Sequence, residues 1–388
     1  MPENARFRLT PMRPRDPDER GRVASPLELF FDLVFVVGVS ASAQQLHHSL
    51  AEGHVGSGII SYLVVFFGIW WAWMNFTWFA TSFATEDWLY RVLTIGQMGG
   101  VLVLAAGVGP AFHGDFRVVV LGYVVMRIAM IAQWLRASRA GGATRRTAQL
   151  YAGGIAVVQV LWLASLLLPT SVHLGGIVVL IGAEVSIPLI AERAALTPWH
   201  PHHITERYSL FTLIVLGESL LASANAIIAA LDVHAPLGEL LPVAALVLNA
   251  TAALWWIYFW PPHHRAISSF ASSLFYGYGH FALFAAAGAV SAGIELELDA
   301  ITGHGAARAS TAQFAYSIPL AVFMVGVWLL AIRRSADRLV NIVLPVGAVL
   351  VLVDPLIPVP FAVSTLVLIG VVVVLVVRRP LEADAPHA

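Results

Sequence analysis

Apolar residues occur in runs of roughly 17 to 25, a length that crosses a hydrocarbon core about 30 Å thick as a helix. Short polar stretches separate the runs. Within them Leu, Val, Ala and Gly follow one another without the two-residue alternation of a barrel strand. They also lack the narrow apolar stripe of a soluble helix. The pattern predicts an all-α, polytopic membrane helix bundle of about twelve spans. These fall near 26–48, 57–82, 89–112, 116–136, 148–168, 173–191, 206–231, 238–261, 270–294, 312–332, 338–357 and 360–377. Pro345 and the Asp354-Pro355 pair interrupt the eleventh.

The polar stretches orient the bundle. Residues 1–24 hold six Arg and four acids, Glu3, Asp16, Asp18 and Glu19, and read as a partly disordered leader. No signal peptide is expected, because the first apolar run is too long and no cleavage site follows it. With the N-terminus in the cytoplasm, that side also receives Arg136, Arg139, Arg145, Arg146, Arg193, Arg265, Arg333, Arg334, Arg338, Arg378 and Arg379. The opposite loops hold only Arg117 and Arg308, with Glu52, Asp115, Asp232, Glu239, Glu295, Glu297 and Asp299. By the positive-inside rule, both termini of a multi-pass protein of the bacterial cytoplasmic membrane then lie inside.

An internal repeat is expected. Span 1 runs from Glu28 and Asp32 to Gly38 and Ser40, and span 7 from Glu206 to Gly217 and Ser219. Trp70-Trp71-Ala-Trp73 in span 2 matches Trp255-Trp256-Ile-Tyr258 in span 8, and Gly96-Gln97-Met-Gly99 matches Gly277-Tyr278-Gly279-His280. Six spans per unit imply a parallel repeat. The domains expected are a leader 1–24, six-helix halves 25–195 and 196–379, and a tail 380–388.

Composition narrows the chemistry. Apolar residues make up 59% of the chain and charged residues 12%, half the charge of a typical soluble domain, about 25%. Cysteine is absent, which excludes disulfides, thiolate metal sites and thiol catalysis. All 22 basic residues are Arg, so Schiff-base lysine and P-loop chemistry are excluded too. The net charge of −1 offers nothing to nucleic acid.

Several stretches carry a resemblance. They are Pro26-Leu-Glu-Leu-Phe-Phe-Asp-Leu-Val-Phe-Val36, the Trp70–Phe79 segment WWAWMNFTWF, and Val124-Val-Met-Arg-Ile-Ala-Met-Ile-Ala-Gln-Trp-Leu-Arg136. To them add His203-Ile-Thr-Glu-Arg-Tyr-Ser-Leu-Phe-Thr-Leu-Ile-Val-Leu-Gly-Glu-Ser219 and Gly277-Tyr-Gly-His-Phe. From about residue 23 onward the chain resembles the bacterial low temperature requirement protein A family. The resemblance implies a multi-pass bacterial membrane protein linked by name to growth in the cold, and implies no reaction. The family often continues its second Trp-Trp pair with Tyr-Phe-Asp. Here Tyr258-Phe259 is followed by Trp260, so a charge role at that position is lost.

Ionisable groups within the spans are the candidate chemistry, since each costs at least about 2.5–3.5 kcal/mol in hydrocarbon. Glu28 and Asp32 share a face of span 1, with Asp32 about 9 Å in. Glu206 and Arg207 start span 7, and Glu218 lies about 18 Å deeper. Arg127 sits in span 4, Glu184 in span 6 and His280 in span 9. Gln97, Gln133, Asn225 and Asn249 could complete a network. The functional reading is a polar site between the halves, built by spans 1 and 7. In it Asp32, Glu218, Arg127, Glu184 and His280 bind substrate or couple its movement. Arg127 would be counter-ion to Asp32, Glu184 or Glu218. Against this stands a satisfied ion-pair network that only locks helices. Glu28 and Glu206 read as helix caps, grouped with His203 and Arg207 as a structural motif.

His200, His202 and His203 before span 7, and His263 and His264 after span 8, show no metal-ligand spacing; no metal and no cofactor is expected. The twelve Trp read as interfacial anchors and packing residues. Gly99, Gly100 and the Gly-Ala-rich spans 3, 5 and 9 read as close helix contacts. The leading functional reading is a secondary-transporter-like permease. A membrane-embedded enzyme or lipid-handling protein is the alternative, although no nucleophile motif is visible. A sensor or membrane-adaptation factor is a third reading and an ion channel a fourth. The partners expected are the bilayer and a small-molecule or ion substrate, with self-association left open.

Overall fold

The computed structural model describes residues 9–232, 234, 236–302, 309–357 and 361–381. Arg308 and most of the tail fall outside them. Helices account for every regular element among the described residues. They are α1 (Pro26–Ala51), α2 (Val55–Phe83), α3 (Trp88–Ala106), α4 (Val108–Phe112), α5 (Arg117–Arg139), α6 (Arg145–Ser165), α7 (Thr170–Ala191), α8 (Pro201–Asp232), α9 (Leu237–Phe259), α10 (Phe270–Thr302), α11 (Ala309–Val327), α12 (Arg338–Val353) and α13 (Ala362–Val377). Eleven described helices are long and apolar enough to cross a membrane. The last, Val363–Val377, is apolar but shorter, about 24 Å over the 16 residues of α13.

The chain divides into two compact units, Met1–Ser42 with Val64–Arg207, and Ala43–Leu63 with Tyr208–Ala388. In the first unit α3, α5, α6 and α7 pack in sequence order. Their closest approach is set by Gly100 and Gly122. A Cβ on Gly122 would lie 2.6 Å from the Gly100 carbonyl oxygen and 2.7 Å from the Leu104 Cα. Gly99, expected at the same contact, faces open space. Among the described residues the leader is anchored from Thr10 onward. The Thr10 N–H donates to Asp87 and the Arg15 N–H to the Ser82 carbonyl, while the Met12 side chain is buried.

Asp87 also caps α3 by accepting from the Tyr90 N–H at 2.9 Å, and receives Arg136 at 2.5 Å. Burial works to raise its carboxyl pKa. The Tyr90 N–H, Arg136 and the Thr10 N–H outweigh that and hold it below the usual carboxylate range. These bonds join the leader, α3 and α5 at one end of the unit.

In the second unit α9, α13, α12, α11 and α10 follow one another as packed neighbours. Gly293 lets α10 approach α11, since a Cβ there would lie 2.6 Å from the Tyr316 Cα. The expected interruption of span 11 falls at Asp354-Pro355. Pro345 is accommodated inside α12, and a 3₁₀ turn follows at Asp354–Leu356. The buried Asp354 carboxylate then accepts the Val363 and Ser364 N–H groups, each at 3.1 Å. A side chain after one helix thus caps the next, satisfying donors that hydrocarbon would leave unpaired.

Candidate functional site

Ser25, Pro26 and Glu28 start α1 with a reciprocal cap. Ser25 Oγ accepts the Glu28 N–H at 3.4 Å, and Glu28 Oε2 accepts the Ser25 N–H at 2.7 Å. Pro26 stands where no N–H is needed. The cap leaves Glu28 Oε1 and, one turn on, Asp32 on one face. Both are fully buried in the first unit.

The counter-ion of that face is Arg207. α8 begins at Pro201, five residues before the expected start, so Arg207 lies inside the helix. Its Nε donates to Asp32 Oδ2 at 2.9 Å and its Nη2 to Asp32 Oδ1 at 2.5 Å, a two-pronged pair. Nη1 reaches Glu28 Oε1 at 3.1 Å. His203 Nε2 lies 3.2 Å from the same oxygen, out of line for a hydrogen bond. Trp73 Nε1 donates to Asp32 Oδ1 at 2.7 Å. Glu206, in the second turn of α8, accepts the Ala24 N–H at 3.2 Å and does not cap α8.

A second buried pair lies in the same unit. Arg127 of α5 donates through Nη2 to Glu184 Oε2 of α7 at 2.6 Å. Of the three acids considered for Arg127, Glu184 is its partner. Asp32 is held by Arg207 instead, because the longer α8 carries a guanidinium to it. Glu184 also accepts Trp71 Nε1 and Gln159 Nε2, each at 2.9 Å. Its oxygens are therefore satisfied. Arg127 Nε and Nη1 are buried without a hydrogen-bond partner among the described residues, and so is Gln97 Nε2. Gln133 Nε2 donates to the Tyr90 carbonyl at 3.3 Å.

Glu218 belongs to the second unit. It sits at the middle of α8, half-buried, with no hydrogen-bond or ion-pair partner among the described residues. It is near enough to Glu295 of α10 for the two charges to repel. Glu295 lies 3.4 Å from His47 Nδ1, and Asp299, one turn on, 2.7 Å from His47 Nε2. Asn225 is exposed on α8. Asn249 lines a cavity of about 800 Å³ with Glu239 and Glu297.

His280 is fully buried in a tyrosine–histidine cluster of the second unit. Its Nδ1 lies 2.7 Å from the Tyr276 carbonyl, so it donates, and Nε2 accepts from the Tyr258 hydroxyl at 3.0 Å. His263 mirrors it, with Nε2 donating to the Tyr258 carbonyl at 2.6 Å and Nδ1 accepting from the Tyr276 hydroxyl at 3.1 Å. Each ring has one donor and one acceptor, the pattern of neutral imidazole. Burial depresses His263, which lies between two spans, to a pKa of about 4.

Trp71, Trp73 and Asp87 escaped the sequence reading. Trp71 and Trp73 read as packing residues, yet both donate to buried carboxylates of different helices. The signal was available in kind: a buried indole N–H needs an acceptor, and intramembrane acids are scarce. Their i, i+2 spacing, roughly 200° around a helix, sends them to separate partners. Asp87 stood in a connection, where nothing local announces an arginine.

No solved structure matches the chain. It is 28% identical over 253 residues to the uncharacterized protein RA0937 of Rhizobium meliloti (strain 1021), covering 63% of this chain. The match spans 60% of that relative's length. A model of the family described as Bacterial low temperature requirement A protein matches residues 23–377. With nearly the whole chain matched, the multi-pass membrane protein built around these buried ion pairs belongs to the low temperature requirement A family.

Proposed function

We propose that the protein is a secondary-transporter-like permease of the bacterial cytoplasmic membrane, with both termini in the cytoplasm, and that Glu218 carries its coupling proton or ion. The observation behind the reading is the contrast between the acids. Asp32 and Glu184 are each locked to an arginine, and such pairs hold helices together. Glu218 has no counter-ion among the described residues and lies within electrostatic range of Glu295. Glu295 has His47 at 3.4 Å as a counter-charge when the imidazole is protonated, which leaves Glu218 as the acid of the two with no ion-pair partner among the described residues. A charge left alone in a span costs about 2.5–3.5 kcal/mol.

The test is a thermal-shift screen of the purified protein with amino acids, sugars, amines, metal ions and lipids at about pH 5.5 and about pH 7.5. Wild type is compared with Glu218→Gln. A pH-dependent stabilisation by a small solute, lost in a Glu218→Gln protein of unchanged melting temperature, is expected. Stabilisation by lipids alone, identical in the variant, would refute the coupling role.

A further inference from the structure

Where α10 begins in the second unit, a cavity of about 360 Å³ is lined by Ser268, Ser269, Ser272, Arg333 and Arg334, with the apolar Phe275 and Leu329 also in its wall. Among the described residues its charge is one-sided. No carboxylate lines it, and neither Arg333 nor Arg334 has an ion-pair partner among the described residues. The nearest acid in sequence, Asp337, is 3.5 Å from Arg378 instead and caps α12 through the Val340 N–H. Among the described residues, two guanidinium groups beside one cavity are thus left without an ion-pair partner.

The serines add donors. Ser269 and Ser272 close the start of α10: Ser272 Oγ accepts the Ser268 and Ser269 N–H groups at 3.0 and 2.8 Å, and Ser269 Oγ accepts the Ser272 N–H at 3.2 Å. The amides of Phe270 and Ala271 fall in the first turn, which has no intrahelical carbonyl to offer them. Guanidinium forks match phosphate oxygens, and a helix start favours an anion. The apolar part of the wall, Phe275 and Leu329, is of no use to free phosphate. It suits the chain of a molecule whose head is a phosphate.

We infer that this cavity binds an anionic phospholipid. Arg333 and Arg334 hold the phosphate, with Ser268 and the start of α10 beside it, and the first segment of an acyl chain lies on Phe275 and Leu329. The site is apart from Glu218, and its test does not depend on transport.

The purified full-length protein is titrated with mixed micelles of phosphatidylglycerol or phosphatidylcholine, or with inorganic phosphate, and melting is followed by tryptophan fluorescence. Phosphatidylglycerol should stabilise at lower concentration than phosphatidylcholine. Each basic residue near the headgroup is worth about 1 kcal/mol, so Arg333→Gln with Arg334→Gln should weaken that response about 30-fold. Arg193→Gln, an exposed arginine of the first unit, should leave it unchanged. Melting of the double variant in phosphatidylcholine reports its folding. Equal responses to the two lipids, or a preference that survives in the double variant, overturns the assignment. Equal stabilisation by inorganic phosphate also overturns it, in favour of a free-phosphate site.

Discussion

Replacing Arg207 by Met removes one guanidinium, leaving Asp32 without an arginine and Glu28 with only the Arg22 guanidinium, at 4.0 Å. Asp32 loses bonds of 2.9 and 2.5 Å and Glu28 one of 3.1 Å, with both acids fully buried. Breaking a buried pair from one side costs about 3–5 kcal/mol, because the charge left behind has no water. Two acids share this arginine, which puts the expectation at the upper end, about 4–5 kcal/mol. Trp73, the Ser25 N–H and His203 remain nearby and keep the cost from doubling. One kcal/mol shifts melting by about 2–4 °C in a unit of 150–250 residues, so Arg207→Met should melt roughly 10–15 °C below wild type in detergent, read by tryptophan fluorescence. Adding Asp32→Asn neutralises one stranded acid and should return about 2 kcal/mol, a coupling expected of residues in contact. Asp32→Asn alone should cost less than Arg207→Met, because Arg207 still holds Glu28. A single variant melting within about 3 °C of wild type, or a double variant less stable than Arg207→Met, would refute the reasoning.

Three further outcomes follow from the same structure. His263, depressed by burial to about 4 against an ordinary value of 6.5, stabilises the fold fully above about pH 6.5. That contribution is lost as pH falls toward 4, by about 3 kcal/mol. His263→Gln should flatten the slope of melting against pH in that window, and an unchanged slope would count against it. Glu192 follows α7 and is raised by burial, partly offset by the Thr197 N–H and hydroxyl and the Tyr151 hydroxyl. A raised carboxyl contributes stability below its ordinary pKa that is lost as pH rises through the higher folded value. Glu192→Gln should therefore gain on wild type as pH rises, and a gap independent of pH would exclude this. Gly122→Ala puts a Cβ against the Gly100 carbonyl and the Leu104 backbone, costing about 1–3 kcal/mol or more. Gly99→Ala enters open space and should be neutral or stabilising by up to about 1 kcal/mol; equal melting of the two would sink the packing argument.

The candidate acids differ in kind once their partners are known. Asp32 and Glu184 each combine an arginine with a tryptophan N–H, which makes them fasteners between helices. Glu218 has neither. It sits in a 32-residue helix whose first turns carry Arg207, so one helix holds both a fixed ion pair and an acid without a counter-ion among the described residues. Loss of the first should be read in melting temperature and loss of the second in solute response. The two assays together separate a structural network from a coupling site.

The order, length and apolar character of the helices were legible in the sequence, because hydrocarbon demands helices of about twenty apolar residues and forbids unpaired backbone. The intramembrane ionisable residues were equally legible, since any charge in such a run is expensive enough to be conspicuous. Their pairing was not. Arg127 could have served Asp32, Glu184 or Glu218. The choice of Glu184 depends on the packing of α5, α6 and α7, in which Gly154 of α6 lets Ile187 of α7 come close. Arg207 looked like part of a helix start until five further residues at the start of α8 placed it inside the helix. Trp71 and Trp73 are two residues apart in a single motif, but they serve different acids because adjacent odd positions of a helix point to different neighbours. Ion-pair choice is a matter of a few ångströms between helices far apart in the chain, and only the tertiary packing sets those distances.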